Sequence, residues 1–477
     1  MKDNKGGGGI FYAKTRYIVL FLGSACIASI ASNMIILNFT LICMGNSTLN
    51  EDDAQAMANR GTHDYTQKEK SFLNWAVAVG TLLAAWPFHW FYEKYGARSV
   101  FFIAGMISAV STALIPLVSR LDFKLFLAMR FFQGISFGAD FAAIGLIVVH
   151  WASLKQHGFF ISLLSSFSQI SVMFTMPVAG ELCSSPLGWE AAYYVHAVLC
   201  VVLFVSWWLY YRNDPVDHPK MTDVELEKIH RGKSAAALKN EEKTPIKEIM
   251  KDPVVWSVWL SAFGELMMSQ FIVMYGPTYL KEVLGFQVAH TGYFVAIPRF
   301  VHLLFKIGSG IASDRIKCLS EKVKMIIFNT IALMVSGVFF CILGFVSKEY
   351  ASWALMILLV IESTTGCICG GFYKCATLVA RQHSHFVLSQ IQFIKCLSLF
   401  IEPLLIFLIC RHNTLAEWRI VFIIHGVLLI LGNVIFCFFA TDKPAKFTHT
   451  PAVDTNGEEL KEEEIPEKQR LVNGSSH

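Results

Sequence analysis

Residues 93–118 read EKYGARSVFFIAGMISAVSTALIPLV. The first six, Glu93-Lys94-Tyr95-Gly96-Ala97-Arg98, set one acid and two bases around a glycine. The twenty that follow, from Ser99 to Val118, carry no charge. A helix rises about 1.5 Å per residue and crosses a hydrocarbon core of about 30 Å in roughly 20 residues. A short charged hinge feeding an uncharged helix is therefore the unit to look for elsewhere in the chain.

Moved along all 477 residues, that window finds twelve spans, at about 17–44, 72–92, 98–118, 124–150, 158–181, 189–211, 254–277, 289–312, 325–346, 352–376, 386–410 and 418–440. The composition agrees. Apolar residues make up 54% and charged residues only 16%, against about a quarter charged in a soluble domain. The mean hydropathy is +0.50. A net charge of +4 with no basic run among aromatics gives no footprint for nucleic acid. The polar, Gly-rich stretch Met1–Lys14 and the long apolar run after it do not read as a cleavable signal, so the run from Tyr17 is taken as the first span.

With both termini cytoplasmic, inner segments hold 26 Lys and Arg and outer segments nine. That bias fixes the expected orientation. Asn46-Ser47-Thr48 then lies in the long first outer loop and is a glycosylation sequon, with Asn46 as acceptor. The expected organisation is a cytoplasmic N-terminus (1–16), a first six-helix half (17–211), a polar central loop (212–252), a second six-helix half (253–441) and a disordered cytoplasmic tail (442–477) rich in Glu. Of the 12 cysteines, Cys26, Cys200, Cys341, Cys367 and Cys396 sit in apolar runs as small fillers. No Cys or His spacing suits a metal, and no cofactor is implied. Cys183 and Cys410 both fall in outer loops, where pairing is open to them.

The hinge unit recurs. Gly310-Ile311-Ala312-Ser313-Asp314-Arg315 follows the eighth span as Glu93 to Arg98 follows the second. Pro177 in the fifth span is answered by Pro403 in the eleventh, and Trp189-Glu190 at the sixth by Trp418-Arg419 at the twelfth. The three pairs are 221, 226 and 229 residues apart, as an internal duplication requires. The expected fold is an all-α membrane protein of twelve transmembrane helices in two six-helix repeats, which resembles the major facilitator architecture. In transporters of that kind the charged hinge latches the cytoplasmic side. Glu93, Lys94, Gly96 and Arg98 form one copy here, and Asp314 and Arg315 the other. Their cations are expected to pair across the interface between the halves, so that rocking breaks the contacts.

An ionisable group inside a span is costly unless paired or hydrated, and is a functional candidate by default. The cations are Arg130 (fourth span), Arg299 and Lys306 (eighth), Lys374 (tenth) and Lys395 (eleventh); the acids are Asp140 (fourth), Glu265 (seventh), Glu362 (tenth) and Glu402 (eleventh). Arg130 is the leading substrate residue, because a guanidinium stays charged and grips a carboxylate through two hydrogen bonds. The alternative is an ion pair with an acid on a neighbouring helix. Arg299, His302 and Lys306 share one helical face and are expected to line the pore or meet an acid. Lys395 and Glu402 also share a face, where an internal salt bridge and a functional role are both open. Lys374 is read as snorkelling from the inner end of its span. Glu265 and Asp140 are candidates for coupling and charge balance. His89, His196 and His425 are read as packed histidines.

Arg130-Phe131-Phe132-Gln133-Gly134, with Gly138 and Trp151-Ala152, resembles the Arg-x-x-Gln-Gly segment of the anion/cation symporter family of major facilitators, which includes sialin, the vesicular glutamate transporters and the type I sodium–phosphate cotransporters. Pro177-Val178-Ala179-Gly180, Gly188-Trp189, Gly371-Phe372 and the run Gly276–Phe286 extend the likeness over most of the chain. The resemblance implies transport of a small anion, coupled to H+, Na+ or membrane potential, and carries an anion-binding role onto Arg130. The departures mark a divergent member. Phe137 stands where the family often has an acid two turns after the arginine, Gly145 replaces a histidine, Glu265 replaces the second arginine of glutamate carriers, and Tyr373-Lys374-Cys375 replaces Asn-x-Asn. The family's arginine near Met34 is missing from the first helix. A cation set rebuilt around Arg299 and Lys306 would compensate.

The runner-up function is a sensor that keeps the fold and binds ligand without moving it. A channel fits the duplicated hinges less well. No nucleotide fingerprint, metal cluster or nucleophile elbow suggests an enzyme. The expected partners are a small anion, a coupling ion and lipid, with the chain a monomer. The membrane is the plasma membrane or an endolysosomal or vesicular one; Glu467–Val472 resembles an acidic dileucine sorting signal.

Overall fold

The structure is a computed structural model and describes residues 14–44, 65–153, 156–230 and 245–448. Among these residues eleven helices are long and apolar enough to cross a membrane. They are α1 (Thr15–Thr40), α3 (Lys94–Leu121), α4 (Phe123–Trp151), α5 (Phe159–Ser184), α6 (Gly188–Tyr210), α7 (Pro253–Val283), α8 (Val288–Arg315), α9 (Glu321–Leu343), α10 (Lys348–Ala380), α11 (Phe386–Ile409) and α12 (Leu415–Phe439). Residues 67–93 form a further helix, α2, continuous with α3 except at Gly96, where φ is +74° and the chain bends. That left-handed conformation suits glycine, which explains why the hinge is built around one. The sequon at Asn46 and the tail beyond Thr448 lie outside the described residues.

The helix ends carry their own signals. Thr66 caps α2 and Thr414 caps α12, each in a reciprocal box with a glutamate three residues on. Asp252 caps α7 and Ser320 caps α9. α4 breaks at Ala139, so that Asp140 begins a fresh helical segment. α10 tightens into a 3-10 turn over Gly366–Gly370.

In the first half α1 packs on α5 and α6, α2 on α4, and α3 on α6; in the second, α7 packs on α11 and α12, α8 on α10, and α9 on α12. Without a hydrophobic drive between helices in lipid, close approach depends on small residues. Gly134 of the Arg-x-x-Gln-Gly segment shows it. A Cβ there would collide with the backbone of Val77, and one at Gly80 with the Phe131 carbonyl.

The halves meet through α2 with α11, α5 with α8, and α1 with α7. The polar contacts between them gather at one end. Ser71 Oγ donates to the Pro403 carbonyl at 3.3 Å and Trp75 Nε1 to the Phe400 carbonyl at 2.9 Å. Gln67 bonds Asn413, which bonds Glu282, and Lys70 sits 3.6 Å from Glu282. Gly292 rests against the Met176 backbone at the same end.

A disulfide joins Cys43 to Cys183, with a Cα–Cα distance of 6.1 Å. This corrects the pairing considered for Cys183. Cys410 is a buried free thiol at the end of α11, in the other half. The end of α1 lies beside the end of α5, so Cys43, read as part of the first span, is the partner within reach.

Candidate functional site

Arg130 is 1% exposed, on α4. Its Nη1 donates to the Met34 carbonyl at 2.8 Å and to Gln133 Oε1 at 2.6 Å. Nε reaches the Leu73 carbonyl at 3.3 Å, and Nη2 the Asn74 side chain at 3.4 Å. Gln133 passes the network on, donating to the Asn33 carbonyl and to Thr112 Oγ1 at 2.9 and 2.7 Å. Every one of these acceptors is neutral. Among the described residues no carboxylate stands within ion-pair distance of Arg130, so the alternative of a structural salt bridge is not what the structure contains. Three helices, α1, α2 and α4, hold a guanidinium whose charge is solvated by dipoles but not cancelled.

The second half is organised the other way. Arg299 Nη2 pairs with Glu362 Oε1 at 3.2 Å, and the guanidinium also donates to the hydroxyl and carbonyl of Ser269. His302 donates from Nδ1 to the Glu362 carbonyl at 2.9 Å, which leaves its Nε2 without a hydrogen bond. Arg299 and His302 thus meet a partner acid on α10, whereas Lys306, farther along the same face, is half-buried. Glu265 on α7 is buried within electrostatic reach of Arg299, Lys306, Glu362 and Lys395. The Lys395 ammonium lies 4.8 Å from the Phe167 ring and 5.6 Å from Phe137, both in the first half. Asp140, fully buried after the break in α4, has neither carboxylate oxygen hydrogen-bonded and lies within electrostatic reach of Lys395.

Three expectations need correction. Lys395 and Glu402 do not bridge. Seven residues along a helix is a rise of about 10 Å, and Glu402 instead meets His425 of α12, Oε1 to Nε2, at 2.9 Å. His425 is therefore more than a packed histidine, whereas His196 is held by the Ala192 carbonyl and Thr175; the His89 side chain lies outside what is described. Lys374 reaches the loop between α8 and α9, where it donates to Ser313 and pairs with Asp314 at 3.3 Å and Glu321 at 2.9 Å. Finally, the hinge cations do not pair across the halves. Arg98 donates to the Trp208 carbonyl and stacks on the Trp208 ring, its backbone held by Asn213. Lys94 lies over Trp90 and Tyr95, and Arg315 is exposed. Among the described residues no hinge side chain bonds to the opposite half, and the halves meet at the other end. The Glu93 side chain is outside what is described.

Among the described residues no group of three His, Cys, Asp or Glu could hold a metal ion. Asn33, Asn74 and Thr112 were not singled out from the sequence. Their one signal was polarity inside an apolar span, which many structural residues share.

The Major Facilitator Superfamily model matches residues 17–403. Sodium-dependent phosphate transport protein 1 of Mus musculus is 22% identical over 441 residues, covering 90% of this chain and 94% of that one. Sialin of Homo sapiens is 22% identical over 365 residues, covering 76% and 73%. Among solved structures, a bacterial homologue of the human lysosomal transporter spinster, in an inward-facing and unoccupied conformation, superposes with a TM-score of 0.67 at 13% identity, over 94% of this chain and 100% of that one.

Proposed function

The chain belongs to the Major Facilitator Superfamily, and from that premise we propose that it is a secondary active transporter of small organic or inorganic anions, working by alternating access and driven by H+, Na+ or membrane potential. The observation that carries the reading is the asymmetry of charge. Arg299 has Glu362, and Lys395 has Glu265 and Asp140 within electrostatic reach. Among the described residues Arg130 has neutral acceptors alone. A buried cation without a counter-charge is costly in a membrane. An anionic substrate supplies that charge and can displace the two longest of the four bonds, to Leu73 and Asn74, through a bidentate contact.

In this reading α2 is the twelfth span, and the two sets of six helices are duplicated halves, since each packing pair in the first set has its counterpart six helices later. The bias of Lys and Arg puts both termini and the hinges at the cytoplasmic side. The contacts of Ser71 and Trp75 with α11 then seal the outer end, and the hinges, with no described bond to the opposite half, belong to a state open inward. The phosphate in the name of the Mus musculus relative supports an anionic cargo.

The test is uptake of radiolabelled phosphate, glutamate, aspartate, sialate and urate into proteoliposomes under an imposed proton gradient, sodium gradient or potential. Gradient-driven accumulation of one of them is expected. Saturable binding with no flux in any condition would leave a sensor built on the same fold.

A further inference from the structure

Glu402 and His425 form a buried pair that the anion site does not use. Glu402 is 0% exposed and His425 1%. His425 Nδ1 lies 2.8 Å from the Val421 carbonyl. A carbonyl can only accept, so Nδ1 carries a hydrogen. The 2.9 Å contact between Nε2 and Glu402 Oε1 then requires a second, shared hydrogen, because two lone pairs cannot face each other at that distance. Whichever atom holds it, the pair is neutral overall. Glu402 Oε2 makes no hydrogen bond and is the one place where a further proton can attach.

Among the described residues nothing else stands near for this acid to neutralise. Phe271 and Phe340 flank the imidazole at centroid distances of 4.7 and 5.9 Å. Among the described residues the titratable neighbours are the Tyr275 hydroxyl of α7, itself beside Asn74 of α2 and the Cys410 thiol, and the Cys341 thiol of α9 against Gly426. Among the described residues His425 is the one charged partner of Glu402. The position on α11 completes the case. Phe400 and Pro403, on either side of Glu402, are the residues whose carbonyls accept from Trp75 and Ser71 of the other half. Parting of those two bonds would open this stretch of α11 to water.

Resting on the alternating-access reading above, we propose that the Glu402–His425 pair is a proton-binding site whose loading is tied to separation of α2 from α11. A proton from water adds to Oε2 when the contact parts, turning the carboxylate into a carboxylic acid beside an imidazolium, and leaves from the same atom before the contact re-forms. The doubly protonated pair has a net positive charge. Water solvates that charge in the parted state, and the apolar sealed site does not. Acid therefore favours the parted state.

The test uses the full chain in liposomes with no anion present. Spin labels on Lys68→Cys and His412→Cys, in a Cys318→Ser background, report the α2–α11 separation by pulsed electron resonance, and infrared titration follows the carboxylic-acid carbonyl stretch. From about pH 8 to about pH 5 the parted-to-sealed ratio is expected to rise at least about tenfold, within the limit of about tenfold per pH unit set by one-proton linkage. Glu402→Gln, which keeps a hydrogen bond to His425, should remove both the pH response and the infrared band. His425→Gln should shift the midpoint of both. A pH response that is absent from the wild type, or that persists unchanged in both variants, overturns the proposal. A chain that gives the expected response but transports none of the anions keeps the proton site and loses the transport reading, so the two failures are distinguishable.

Discussion

At the scale of single residues the most informative side chain is Arg130. Its type and place were legible in the sequence, because an arginine inside an apolar span has few uses. Its environment was not. Two of its four acceptors are the backbone carbonyls of Met34 and Leu73, and no residue type announces a carbonyl. The same blindness applied to Lys395 and Glu402. Helical spacing put them on one face but could not show that α12 offers His425 while α4 and α5 offer aromatic rings. Gln133 is the keystone of the network. Gln133→Leu removes one acceptor from Arg130 and the donor to Thr112 Oγ1. A buried polar group left unpaired costs about 1–3 kcal/mol. Thermal unfolding in detergent should show a loss of that order, with a raised KM for the transported anion.

At the scale of elements, hydropathy located the helices well and misjudged what joins them. The disulfide went unseen because Cys43 lies at the end of an apolar run and its proximity to Cys183 is tertiary. Peptide mapping without reduction should recover a Cys43–Cys183 link, and Cys410 should label as a free thiol only after unfolding. A Cys43–Cys410 or Cys183–Cys410 link would refute the placement of α1 beside α5. Gly134 offers a second test of packing. Gly134→Ala drives a methyl into the Val77 backbone and should destabilise by about 1–3 kcal/mol, whereas Gly145→Ala, whose Cβ meets nothing within 4 Å, should not.

The linker between the halves belongs at this scale as well. The short helix Asp223–His230 brings Glu225 to accept from the backbone N–H groups of Thr15 and Arg16 at the start of α1, at 3.1 and 2.9 Å. His218 packs edge-on against Trp151 and Tyr210, and burial, helped by Arg212 and Lys220, holds its imidazole below the ordinary value. A histidine kept neutral by docking favours the docked state above its free pKa of about 6.5, and that contribution fades as pH falls through this value. Limited proteolysis of the 212–230 region should therefore accelerate below about pH 6.5, and His218→Gln should flatten the dependence.

For the molecule as a whole, the proposed duplication rests on three pairs of matching residues, and the superfamily model matches residues 17–403. The conformation was not visible, since one sequence must encode both states of a rocking transporter. The expectation that the hinges pair across the halves describes the state in which the hinge end is closed; here the contact lies at the other end. Lys70 and Glu282, 3.6 Å apart across the halves, contribute to that seal. A partly exposed pair of this kind is worth about 0.2–1 kcal/mol, so Glu282→Gln should raise the parted population by no more than about fivefold in the spin-label assay.

The central claim is that Arg130 supplies the positive charge that an anionic substrate completes. The most direct measurement compares initial rates of gradient-driven uptake of the transported anion in proteoliposomes bearing wild type, Arg130→Lys and Arg130→Ala, with reconstitution checked by protein recovery and unfolding temperature. Loss of one partner of a buried charge contact costs about 2–5 kcal/mol, so uptake should fall at least about thirtyfold in Arg130→Ala and be partly retained in Arg130→Lys. Full uptake by a well-folded Arg130→Ala protein would contradict the account and move the anion to Arg299 and Lys306.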